Sequence, residues 1–134
     1  MDIKIEHIWT ASAFLIALQI GAFTWRINRE IKIGEKGDIN WMPWADIINL
    51  LAVVIALLGV FILPLSGLRS FKIPKIALGL SIILFTGYPF ALAGHYELFT
   101  KGERSMLYFP KQERIAIIIT IAAAILFLVL SLLK

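Results

Sequence analysis

Cysteine is absent from this chain of 134 residues, and charged residues make up only 16% of it. Without thiols there is no disulfide framework and no cysteine-ligated zinc or iron–sulfur centre. Soluble domains normally carry about 25% charged residues, so this chain has too little polar surface to cover a water-exposed fold. Histidine is scarce too: the two, His7 and His95, are expected at opposite ends of the molecule, which excludes a multi-histidine zinc, haem or di-iron site. The glycines match no phosphate-binding loop or dinucleotide fingerprint. Ser105 can be written beside His95 and Asp46, but no strand–serine–helix elbow surrounds it. The reading is that the chain is not an enzyme and holds no cofactor.

What is abundant is apolar: 60% of the residues, with a mean hydropathy of +0.86. Four stretches are long enough to cross a bilayer, which takes about 20 residues of helix. They run over about 8–25, 47–68, 76–94 and 115–133. The predicted fold is all-α: a single integral membrane domain over 1–134, built as an antiparallel up-down-up-down bundle of four transmembrane helices. The mixed charges of Asp2, Lys4 and Glu6 before a full-length first span predict a retained anchor rather than a cleaved leader. With no cysteine and Asp as second residue, no lipid attachment is expected.

Helix punctuation agrees. Asn40 is a candidate cap ahead of Pro43, Pro64 lies near the end of the second span, and Pro74 and Pro110 open the third and fourth. Trp41 and Trp44 suit the membrane interface. Small residues recur at four-residue spacing: Ala13, Ala17 and Gly21; Ala52 and Ala56; Gly87 and Ala91; Ala116, Thr120 and Ala124. Such stripes let helices approach closely in lipid, within one bundle or across a dimer seam. Pro89, with Gly87 beside it, predicts a bend in the third span, freeing the Phe85 carbonyl for Thr86, a neighbouring helix or water.

Alternate threading gathers two connections, 26–43 and 97–114, at one face. That face holds eight Lys and Arg residues (26, 29, 32, 36, 101, 104, 111, 114), against five on the other (4, 69, 72, 75, 134). The count predicts both connections cytoplasmic and both termini outside; the undiluted Arg69, Lys72 and Lys75 loop pulls the other way. The net charge of +4 then reads as an orientation and lipid-contact signal, not a nucleic-acid patch. Both connections alternate polar and apolar residues about a glycine, as in Glu30-Ile31-Lys32-Ile33 before Gly34, which predicts short hairpins. The competing reading continues the first helix to Gly34.

The same face collects the candidate site. Asp46 and Asn49 stand one turn apart at the start of the second span; His95, Tyr96 and Glu97 close the third; Arg26 and Arg114 lie near. Ionisable groups at membrane depth usually face one another or a cavity, so these seven form a candidate polar cluster, either structural or the mouth of a proton or cation path. Asp46 in the first turn also suits its helix dipole without any function. Deeper polar groups are few: Gln19, Ser81, Thr86 and Tyr88. No span has a central carboxylate or lysine, unlike four-span ion-coupled carriers that work through an embedded glutamate.

The expected role is therefore association in the bilayer, as a homo-oligomer or as an accessory subunit of another membrane protein, without nucleic acid. The alternative is a small oligomeric channel or carrier with its mouth at Asp46, His95 and Glu97. A membrane-embedded enzyme ranks third.

Overall fold

The computed structural model describes residues 4–34, 42–67, 70–96 and 109–133. Among the described residues every regular element is helical and none is a strand. The four long helices are α1 (Ile5–Gly34), α2 (Trp44–Leu65), α3 (Lys72–His95) and α4 (Lys111–Leu132). Each is long and apolar enough to cross a membrane.

α2 and α4 begin in the same way. Pro43 and Pro110 hold extended backbone just before the first helical residue, where the missing amide hydrogen costs nothing. Three residues on come Asp46 and Glu113, acids in the first turn, where exposed amides favour negative charge. α1 has Glu6 in its first turn and Lys32 in its last. Its helix continues through Glu30 and Lys32 to Gly34, which overturns the first hairpin. Two-residue alternation over so short a run also fits a helix, and here helical spacing sets Arg26 and Glu30 one turn apart on the same buried side. The second proposed hairpin, the Asn40 cap and Trp41 lie outside the described residues.

α2 is not uniform: Leu57–Ile62 is π-helical. Just beyond stands Pro64, which has no amide hydrogen for the carbonyl four residues back, Val60. The indole Nε1 of Trp9 on α1 donates to that carbonyl at 3.1 Å. Pro89 sits inside an uninterrupted α3, and the Thr86 hydroxyl donates to Ile82 at 2.8 Å rather than to Phe85. α2 ends in a turn where Gly67 has φ +94°, a left-handed conformation that favours glycine.

Packing runs through small residues. Ala45, Ile48, Ala52, Leu84, Tyr88, Ala91 and Ile117 form one apolar cluster, and Ile8, Val60 and Ala77 a second. Any side chain at Gly87 would overlap Thr120, and any at Gly94 would meet the backbone of Gln112 and Glu113. The stripes on α2, α3 and α4 thus lie at helix contacts. The stripe on α1 does not: Ala13, Ala17 and Gly21 are exposed, and nothing stands within 4 Å of a methyl placed on Gly21. The buried residues of α1 are instead Ile8, Ser12, Gln19, Arg26 and Glu30.

Candidate functional site

The polar cluster is assembled where the end of α1, the start of α2, the end of α3 and the start of α4 meet. Arg26 places a guanidinium nitrogen 2.9 Å from Asp46 Oδ2, while the Tyr88 hydroxyl donates to Asp46 Oδ1 at 3.2 Å. One carboxylate so joins α1, α2 and α3. Glu113 does the same on the other side: Oε1 accepts the Ala45 amide at 3.1 Å, and Oε2 lies 2.9 Å from His95 Nδ1. Both Asp46 and Glu113 are fully buried.

Tyr96, one residue past α3, donates its hydroxyl to Glu30. Burial, that hydrogen bond and the neighbouring Glu30 charge push the Tyr96 phenol up to about 12, so it stays a donor at neutral pH. The Arg29 guanidinium lies 4.4 Å from the Tyr96 ring centre, a cation–π geometry. The cluster therefore sets three carboxylates, Glu30, Asp46 and Glu113, against Arg26, His95 and the flanking Arg29.

Below the cluster the contact between α1 and its neighbours remains polar. Asn49 Nδ2 donates to the Gln19 carbonyl at 3.0 Å, Gln19 Nε2 donates to Ser81 Oγ at 3.1 Å, and Ser81 Oγ donates to the Ala52 carbonyl at 2.9 Å. Because the single Ser81 hydroxyl proton is committed to Ala52, Ser81 can only accept from Gln19. That locks the Gln19 amide with its nitrogen toward α3. Gln19 Oε1, Asn49 Oδ1 and Ser12 Oγ are buried and make no hydrogen bond to the described residues.

Of the seven residues picked out in the sequence, Arg26, Asp46, His95 and Tyr96 belong to the cluster, and Asn49 to the seam beneath it. Arg114 turns away: it is exposed, its Nε donates to the Phe109 carbonyl at 2.9 Å, and its guanidinium lies 4.8 Å from the Phe109 ring centre. Glu97 lies outside the described residues. Glu30 and Glu113 are not among those seven, yet they hold Tyr96 and His95. A signal for Glu113 exists in the chain, since Pro110-Lys111-Gln112-Glu113 repeats the spacing of Pro43-Trp44-Ala45-Asp46.

Chemically the arrangement pairs donors with acceptors, with Glu30 Oε2 buried and making no hydrogen bond to the described residues. Among the described residues no three His, Asp or Glu side chains converge as a metal ligand set. A groove of about 620 Å³ opens between α3 and α4, but its walls include no carboxylate, imidazole or phenol of the cluster. Comparison of the chain with family models, curated proteins and solved structures finds no match in any of the three.

Proposed function

We propose that this is a multi-pass membrane protein that acts by association, with a second copy or as an accessory subunit of another membrane protein, and that its polar cluster is the clamp holding four alternately directed helices together. An up-down-up-down arrangement is supported by paired contacts at both ends: Arg26 with Asp46 and Trp9 with Val60 for α1 and α2, and Asp46 with Tyr88 and Gly59 with Ala77 for α2 and α3. For α3 and α4 the pairs are His95 with Glu113 and Gly79 with Phe127.

The observation that carries association is the division of labour on α1. Ser12, Gln19, Arg26 and Glu30 are buried against the other helices, while Ala13, Ala17 and Gly21 face outward, where close helix approach in lipid needs small side chains. The test is the oligomeric state of the full chain in nanodiscs or mild detergent. Gly21→Leu is expected to lower the mass of the assembly, or strip a co-purifying membrane protein, at unchanged helical content. A monodisperse single copy in every lipid, with nothing bound and no response to the substitution, overturns the reading.

A second reading, a proton or cation carrier, draws on the buried oxygens of Gln19, Asn49 and Ser12 that continue inward from Asp46. Liposomes discriminate. Protein-dependent proton or cation leak that disappears in Asp46→Asn establishes the carrier; association alone leaves the liposomes tight.

A further inference from the structure

The groove between α3 and α4 has a definite length and a definite stop. Ile82, Ile83 and Phe90 line it from α3, and Ile115, Ile119 and Ala123 from α4. From Ile82 to Gly94, or from Ala123 to Gln112, a helix rises about 17 Å at ~1.5 Å per residue. That is close to one leaflet, half of a hydrocarbon core of about 30 Å. At the deep end the lining stops at Ile82 and Ala123; three to four residues further on, the Phe127 ring lies where a side chain on Gly79 would stand. At the shallow end it opens beside Gly94 and Gln112, next to the polar cluster.

Apart from the Gln112 amide at the mouth, whose Oε1 makes no hydrogen bond to the described residues, the walls have little to offer but van der Waals contact. Thr86 donates to Ile82 and Thr120 donates to Ala116, so both hydroxyl protons are spent within their own helices. A methylene chain needs nothing more, whereas a spanning partner helix would need a groove of full bilayer depth. Among the described residues at the mouth the outward charge has one sign. Lys111 is exposed one turn above Ile115 and Arg114 is exposed beside it, while Glu113 is turned inward onto His95.

We propose that this groove binds one acyl chain of an anionic phospholipid from the leaflet on the side of the polar cluster, with Lys111 meeting the headgroup phosphate. Long cationic side chains near helix ends reach the interface readily, and the outward charges among the described residues at the mouth are both positive.

The test is native mass spectrometry of the full chain purified with phosphatidylglycerol or phosphatidylcholine of identical acyl chains. One phosphatidylglycerol per chain is expected to survive detergent stripping, preferred over phosphatidylcholine by about fivefold. Lys111→Gln should abolish that preference while a lipid is still retained. Ala123→Phe fills the groove at an exposed position and should abolish retention of both lipids; Ile119→Trp, also exposed, serves if the first variant folds poorly. Equal retention of the two lipids by the native chain and by Lys111→Gln overturns the headgroup assignment. Undiminished lipid retention by a folded groove-filled variant overturns the site. So does a change of oligomeric state with lipid retention intact, which would assign the groove to a second copy.

Discussion

Glu113 ties three helices together through one carboxylate, and its removal leaves the Ala45 amide and the His95 ring without their partner. Each buried polar group left without its partner costs about 1–3 kcal/mol, so orphaning two costs about 2–6 kcal/mol. Glu113→Ala should lower stability by roughly that much, whereas Glu113→Gln, which keeps an acceptor for the amide, should lose about 1–3 kcal/mol. Denaturant unfolding in detergent reads both, and an alanine variant no less stable than the glutamine variant would refute the clamp. Tyr96 makes a separate, pH-dependent prediction. Its phenol is raised from 10.0 to about 12 on folding, so above pH 10 the unfolded chain has lost a proton that the folded chain retains. Stability from this group is complete below pH 10 and falls as the pH rises toward 12. Tyr96→Phe should lose that component of alkaline destabilisation, measurable as a flatter melting-temperature profile between those values.

For whole elements, the presence and extent of the helices were largely legible because apolar run length is a local property. The local pattern of Glu30-Ile31-Lys32-Ile33 was not decisive, since a strand period and a helical turn both fit four residues. Helix won because Glu30 then falls one turn from Arg26 and reaches Tyr96. The π-helical turn of α2 had a weaker signal in Pro64, and its partner Trp9 lies 51 residues from the carbonyl it serves. Trp9→Phe should cost about 1 kcal/mol. In a Pro64→Ala background, where an amide hydrogen becomes available near Val60, the same change should cost less. A double-mutant cycle on thermal unfolding measures the difference, and strict additivity would remove the proposed link between proline and indole.

For the molecule as a whole, orientation is the next measurable quantity. Because the native chain has no cysteine, a single cysteine reports its own accessibility. Lys4→Cys is expected to react with a membrane-impermeant maleimide from outside the cell, and Lys111→Cys only after the membrane is opened; the reverse pattern would invert the proposed topology. The site was partly legible at this scale. Threading of the apolar runs brought Asp46, His95, Tyr96 and Arg26 to one end, but could not choose between Arg114, which faces outward onto Phe109, and its neighbour Glu113, which faces in.

That contrast marks the division between the two sources of information. Hydrophobic run length and the positions of proline and charge determine by themselves that four helices form and roughly where their apolar parts lie, because insertion and capping depend on consecutive residues; they did not determine that α1 continues to Gly34. The tertiary structure decided how each helix is rotated about its axis. Rotation follows from the fit of Gly87 to Thr120, of Gly94 to the backbone at Glu113, and of the α1 polar stripe to Ser81, Asn49 and Asp46. A turn of about 100° per residue is enough to carry one charge into the clamp and leave the next in the headgroups.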